Sequence, residues 1–265
     1  MRTTPYPDVN TVLAHFHARI SEILNDQMVG MYVVGSLALG DFDPQHSDID
    51  LIVVTDTPIE SDVLDRIRVL HNDFAASASA WARRVEVVYP TAKALIGNPS
   101  RDESYPQIER DTALFTAPLE DGWVFQCYTL REHGLVVAGP EPHTLVGPID
   151  RGDMQEAVAV IAAKWLEQAQ HDPSWLEWVR LRHAQVFVVQ TLCRMLYSLE
   201  TGAVASKPKA VPWARGRLDD KWARLIEVAL AHREAIEEIS ADELRDTISL
   251  IQHVFESSQS STSNG

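Results

Sequence analysis

Apolar residues recur at helical spacing near the start of the chain, where Leu13, Phe16, Ile20 and Leu24 share one face and predict an amphipathic helix over residues 9–25. The period then shortens. Residues 28–34 form a short apolar run stopped by Gly35, residues 49–54 form a second that begins among acids, and residues 85–89 form a third after a helical stretch around 61–80. Runs this short and rich in Val, Ile and Tyr read as strands. Residues 123–137 carry a further apolar pattern that closes at Gly139-Pro140. Residues 1–148 are therefore expected to form a small mixed domain, helices on a short sheet.

From about residue 151 the pattern is helical throughout, with Val158, Ile161 and Trp165 on one face and a long helical stretch over roughly 175–200 that stops at Thr201-Gly202. Ser240-Ala-Asp-Glu243 reads as a capping box that opens a last helix, whose apolar face is Leu244, Ile248, Ile251 and Phe255. Residues 149–256 are thus expected to form an α-helical bundle, the boundary falling in the Pro/Gly-rich segment 139–148, and the Ser-rich stretch 257–265 a disordered tail.

Charge narrows the picture. The 265 residues carry a formal charge of −15, and the first 150 hold 22 acidic against 10 basic side chains. Such a balance argues against a long nucleic-acid footprint; it suits metal ions or a small cationic partner, but total charge alone is explained first by carboxylates that keep the protein soluble. Two cysteines without metal spacing, no signal core and no membrane-length apolar run point to a cytoplasmic protein; the sequence leaves open whether it is a monomer or a small homo-oligomer.

The chemistry concentrates in Val34-Gly35-Ser36-Leu-Ala-Leu-Gly40-Asp-Phe-Asp-Pro44-Gln-His-Ser47-Asp48-Ile-Asp50. Gly35 ends a strand and lets the backbone approach a ligand, and Ser36 opens a helical turn whose N–H groups attract phosphate. Asp48 and Asp50, two apart at the head of a strand, project to one side while Ile49 and Leu51 enter the core. Paired carboxylates of this kind suit Mg²⁺. Glu86, inside the apolar strand Val85-Glu-Val-Val88, is a third candidate ligand, with an edge position facing water as the alternative. Arg83, Arg84 and His46 read as solvated surface.

Gly35-Ser36, Asp48-x-Asp50 and a later strand glutamate resemble the polymerase β-like nucleotidyltransferase superfamily. Arg131-Glu-His-Gly134 with Gly139-Pro140, and Leu192-Cys-Arg194 through Tyr197 and Gly202 to Ser206-Lys207 and Trp213-Ala214, resemble its streptomycin/spectinomycin (aminoglycoside) adenylyltransferases. The resemblance implies an α+β fold, a nucleotidyltransferase domain followed by a helical bundle. It implies an enzyme that uses ATP and two Mg²⁺ ions on a small cationic or polyhydroxylated acceptor. Ser36 and Ser47 would meet phosphate, Asp48 and Asp50 would hold metal, and Glu86 would be both metal-associated and the general base. Lys207 would reach the triphosphate; otherwise it is an exposed lysine at a helix start. Trp175, Glu177 and Trp178 are candidates for the acceptor, the tryptophans equally for core. The family's streptomycin-contacting acids are missing: an ungapped carry-over from Arg194 puts Arg180 and Ala184 in their places. The alternatives are a same-fold transferase acting on another small molecule or a protein hydroxyl, and a catalytically silent antitoxin-like module.

Overall fold

The structure, a computed structural model, describes residues 3–96, 102–233 and 235–260. It divides into two compact units, Met1–Pro148 and Ile149–Gly265. In the first, the elements run α1 (Pro7–Leu24), β1 (Met28–Val33), α2 (Gly35–Leu39), β2 (Ile49–Thr55), α3 (Ser61–Ala75), β3 (Val85–Val88), β4 (Tyr105–Ile108), β5 (Phe115–Ala117), α4 (Trp123–His133) and β6 (Leu135–Ala138). The six strands lie in the order β5-β4-β3-β2-β1-β6. Every pairing is antiparallel except β2 with β3, which the α3 crossover makes parallel.

The helical face read from the sequence is the buried one: Leu13, Phe16, Ile20 and Leu24 of α1 join Ile67 of α3 and Met31, Val33, Leu51, Val53 and Val87 of the sheet in one core. Pro7 starts α1, where a missing N–H costs nothing. Helix α3 ends at Ala75, five residues short of the expected end, because serines compete for the backbone. Ser77 Oγ accepts the Ser79 N–H and Ser79 Oγ accepts the Trp81 N–H, turning the chain into β3.

Strands β4 and β5 have no counterpart in the sequence reading. They are four and three residues long, β4 contains Pro106, and a turn joins them in which Asp111 takes a left-handed φ of 60°. Residues 123–137 resolve into α4 and β6, separated at Gly134, where a Cβ would come within 2.4 Å of the Leu130 carbonyl oxygen.

The second unit contains α5 (Arg151–His171), α6 (Pro173–Arg180), α7 (Arg182–Thr201), α8 (Lys207–Arg215), α9 (Asp220–Ala231) and α10 (Ala241–Ser260). Asp150 and Asp153 form a reciprocal cap on α5, Gly202 closes α7 at φ 67°, and Ser240 and Glu243 cap α10. The single helix expected over 175–200 is two. Leu181 is extended between α6 and α7, where the Arg180 carbonyl accepts the Ile239 N–H at 2.9 Å and Leu181 bridges Glu238. The expected disordered tail is also corrected in part. Helix α10 continues through Ser260 with Ser258 buried, because the Ser257, Ser258 and Ser260 hydroxyls donate back to the carbonyls of His253, Phe255 and Glu256. Residues 261–265 lie outside the described residues. Among the described residues no helix is long and apolar enough to cross a membrane.

Candidate active site

The parallel pairing of β2 with β3 sets the site. Its register places Ile49 opposite Val85 and Asp50 opposite Glu86, and the Ile49 N–H donates to the Arg84 carbonyl at 2.8 Å. Side chains alternate, so Ile49 and Leu51 are buried beneath while Asp50 and Glu86 share a rung on the other face. Asp48 precedes the strand on the same side, its side chain 20% exposed.

The chain leaving β1 folds over Asp50. The Val34 N–H donates to the Asp50 carbonyl at 2.9 Å, and Gly35 takes φ +60° with its missing Cβ only 1.8 Å from Asp50 Oδ2. Glycine is required there twice over, for the left-handed backbone and for space. Ser36 follows in α2, half-buried. Ser47 closes a tight turn: its N–H donates to the Asp43 carbonyl at 2.8 Å and its Oγ accepts the Asp43 N–H at 3.0 Å. The Asp43 carboxyl is held below its ordinary range by the Gln45 N–H and then by His46, whose Nδ1 lies 2.8 Å away. His46 itself is exposed, as expected.

Glu86 is half-buried, and its carboxyl is pushed above the usual range, first by burial and then by the negative charge of Asp48. The Arg110 N–H, donated to Glu86 Oε1 at 3.1 Å, opposes the shift. Two arginines face Asp48, with Arg84 Nε 3.7 Å from Oδ1 and Arg110 Nη1 3.5 Å from Oδ2. Among the described residues no three His, Cys, Asp or Glu side chains already stand at metal-ligand spacing. The donor set nevertheless fits a hard divalent cation. It offers oxygen only, from neighbouring strand ends, and the charge of Asp48 already raises Glu86, a strain that a cation relieves.

The sequence profile for a nucleotidyltransferase domain matches residues 17–134, and that for the C-terminal domain of aminoglycoside adenylyltransferase matches 144–257. Curated proteins called aminoglycoside (3'') (9) adenylyltransferase are similar across most of the chain. That of Shigella flexneri is 26% identical over 85% of this chain and 86% of its own. That of Rhizobium radiobacter is 28% identical over 76% of each. A crystal structure of spectinomycin adenyltransferase AAD(9) from Enterococcus faecialis, with ATP and spectinomycin, superposes with a TM-score of 0.68 at 15% identity, covering 96% of this chain and 99% of that one.

Across both of its units the chain is similar to the aminoglycoside adenylyltransferases. It is accordingly a nucleotidyltransferase, and its α+β unit followed by helices is the fold of that solved relative. The adenylyltransferase motifs outside the carboxylates turn out to hold the chain together locally. Arg131 donates to the carbonyls of His143 and Val146, Arg194 Nε to Ala205 O at 3.0 Å, and Ser198 Oγ to Ala203 O at 2.9 Å. Tyr197 meets Trp213 edge to face, with ring centroids 5.1 Å apart.

The remaining candidates lie in the helical unit. Lys207 is the exposed first residue of α8. On α6, Glu177 and Trp178 are exposed, whereas Trp175 is buried against Trp178 and belongs to the core. Ala184 is 1% exposed, and Arg180 ends α6, with the extended Leu181 between them.

Arg84 and Arg110 are the residues that sequence reasoning missed. Arg84 is not solvated surface: its side chain is 17% exposed, and its guanidinium donates to the carbonyls of Pro44 and Ser47. Its place two residues before Glu86 was the available signal. Arg110 had none, since the turn that carries it was not read.

Proposed function

We propose that this enzyme transfers AMP from ATP to a hydroxyl of an aminoglycoside- or spectinomycin-type acceptor, using the carboxylates at the β2–β3 strand ends. The observation that carries the reading is the shared rung of Asp50 and Glu86 beside Asp48. Asp48 and Asp50 would hold two Mg²⁺ ions, with Glu86 adjoining, and the bound metal would supply charge stabilisation on the attacking and leaving oxygens. The remaining work falls to the chain. Glu86 takes the acceptor proton: Oε1 is engaged by the Arg110 N–H, which leaves Oε2 for the transfer, and a raised pKa brings the carboxylate nearer to the ambient pH at which a base works best. The deprotonated hydroxyl oxygen then bonds to the α-phosphorus as the bond to pyrophosphate breaks. Gly35 lets the main chain approach the nucleotide, Ser36 and Ser47 are assigned to its phosphates, and Lys207 to the triphosphate.

The acceptor reading follows from charge. Streptomycin carries two guanidinium groups, best held by paired carboxylates. Exposed Glu177 stands on α6, and the ungapped carry-over puts Arg180, the last residue of that helix, and buried Ala184 where the family carries its acids. Spectinomycin, with secondary amines, makes the smaller demand, and Glu177 or the segment 102–109 supplies single acids for it.

The test is mass spectrometry of reactions containing ATP, Mg²⁺ and either antibiotic. A mass gain of one AMP on spectinomycin, with the higher kcat/KM, is expected. Preference for streptomycin would overturn the acceptor assignment, and inactivity on both would place the transfer on another acceptor. Glu86→Gln should still bind nucleotide but transfer about 10²–10⁴-fold more slowly. Loss of nucleotide binding in that variant would reduce Glu86 to a ligand.

A further inference from the structure

Arg84 and Arg110 perform no step in the transfer described above, yet both guanidiniums close on Asp48, one on each carboxylate oxygen. They are held in opposite ways. Arg84 is fixed. Its Nη1 donates to the Pro44 carbonyl at 3.0 Å and its Nη2 to the Ser47 carbonyl, so one fork grips both ends of the turn that delivers Ser47 and Asp48. The guanidinium lies 4.5 Å from the centre of the Trp81 ring. That ring is itself anchored: its Nε1 donates to Asp8 Oδ2 at 3.0 Å and its face stacks on Phe42 at 5.7 Å. Arg84 Nε is buried and makes no hydrogen bond among the described residues; it stands 3.7 Å from Asp48 Oδ1.

Arg110 is loose. Its side chain is 46% exposed, and Asp48 is the carboxylate its guanidinium pairs with, at 3.5 Å. Its main chain is not loose, since the N–H is bonded to Glu86 Oε1 at 3.1 Å. The turn beneath is set by left-handed Asp111 and by Thr112 Oγ1, which accepts the Glu109 N–H at 3.0 Å.

We propose that both are positioning residues of the transfer site, Arg84 fixing where Ser47 and Asp48 stand, and Arg110 serving as a displaceable counter-ion that neutralises Asp48 until a divalent cation arrives. This rests on the carboxylate–metal reading above. A guanidinium at that distance competes directly with a cation for the same oxygen. Being half-exposed, the Arg110 side chain can leave for water at little cost, while its N–H goes on aiming Glu86. Arg84 cannot leave without breaking the turn.

The two roles predict shifts of opposite sign, which a merely structural contribution does not produce. Mn²⁺ serves as the probe, titrated into the full chain and followed by water-proton relaxation. Arg110→Gln keeps size and polarity but removes the competing charge, so the Mn²⁺ midpoint should fall about three- to tenfold. Arg84→Lys keeps the charge but loses the fork, so the midpoint should rise about threefold or more. An unchanged midpoint in Arg110→Gln overturns the counter-ion role, and an unchanged or lower one in Arg84→Lys overturns the positioning role. Asp48→Asn separates the two levels. If it leaves the titration as in the parent, the metal reading itself falls, and the Arg110 role falls with it. If it abolishes the tight phase while the arginine variants titrate like the parent, only the arginine proposal is lost.

Discussion

Gly35 leaves room for one carboxylate oxygen and no more. An added Cβ would sit 1.8 Å from Asp50 Oδ2 on a backbone at φ +60°, so Gly35→Ala must move either the acid or the turn. The left-handed conformation costs an alanine only about 1–2 kcal/mol, too little to unfold a two-unit protein, whereas misplacing a reacting group by an ångström costs about 10²-fold in rate. The variant should keep its circular dichroism and lose at least that factor in pyrophosphate release. Asp50→Asn is the complementary change, of the same size with one charge fewer. It should abolish transfer without lowering the melting temperature of the metal-free protein, because Asp50 shares its rung with another acid. A near-parental rate in Asp50→Asn would remove it from the ligand set. Both residues were legible in the sequence because glycine and paired aspartates carry their meaning locally. Arg84 was not, since its worth lies in two carbonyls on a distant turn.

Helix α10 shows what a local signal delivers and where it stops. Ser240 Oγ accepts the Glu243 N–H at 3.2 Å and Glu243 Oε2 accepts the Ser240 N–H at 3.0 Å, the reciprocal cap its sequence announces. Ser240→Ala should cost about 1 kcal/mol in urea unfolding. A cost near zero would mean that Glu243 is held from elsewhere, by Arg182, whose Nη1 lies 2.5 Å from Oε1. That second tie belongs to a buried polar cluster, Arg182–Gln185–Thr247–Glu243, invisible in the sequence because its members come from two helices. The break at Leu181 escaped the periodicity for the same reason, being fixed by the Ile239 N–H from a remote segment. Strands β4 and β5 were illegible because neither is long enough to show an alternating period.

Across the molecule, charge and burial combine in a pH dependence that is unconnected with catalysis. His71 is buried against Phe16, its Nε2 2.7 Å from the Tyr89 hydroxyl, and burial lowers its pKa to about 4. The folded protein therefore keeps this ring neutral where the unfolded chain, with a value near 6.5, takes up a proton. Stability is lost as pH falls from about 6.5 towards about 4, and the loss between pH 7.5 and 5 amounts to about 2 kcal/mol. His71→Gln should lose that much less over the same interval, measured as the difference between two denaturant titrations. Equal losses in the two proteins would show that the ring is charged in the fold. The parallel β2–β3 pair has a further implication, for how such a chain tolerates changes in length. Its strands are joined through α3 by a crossover of some thirty residues, much of it surface, where residues can be gained or lost without disturbing the register. One residue inserted between Asp48 and Asp50, or between Val85 and Glu86, would instead turn a carboxylate to the opposite face of the sheet. Drift in length should therefore collect in the crossover, and the two strand heads should keep their count.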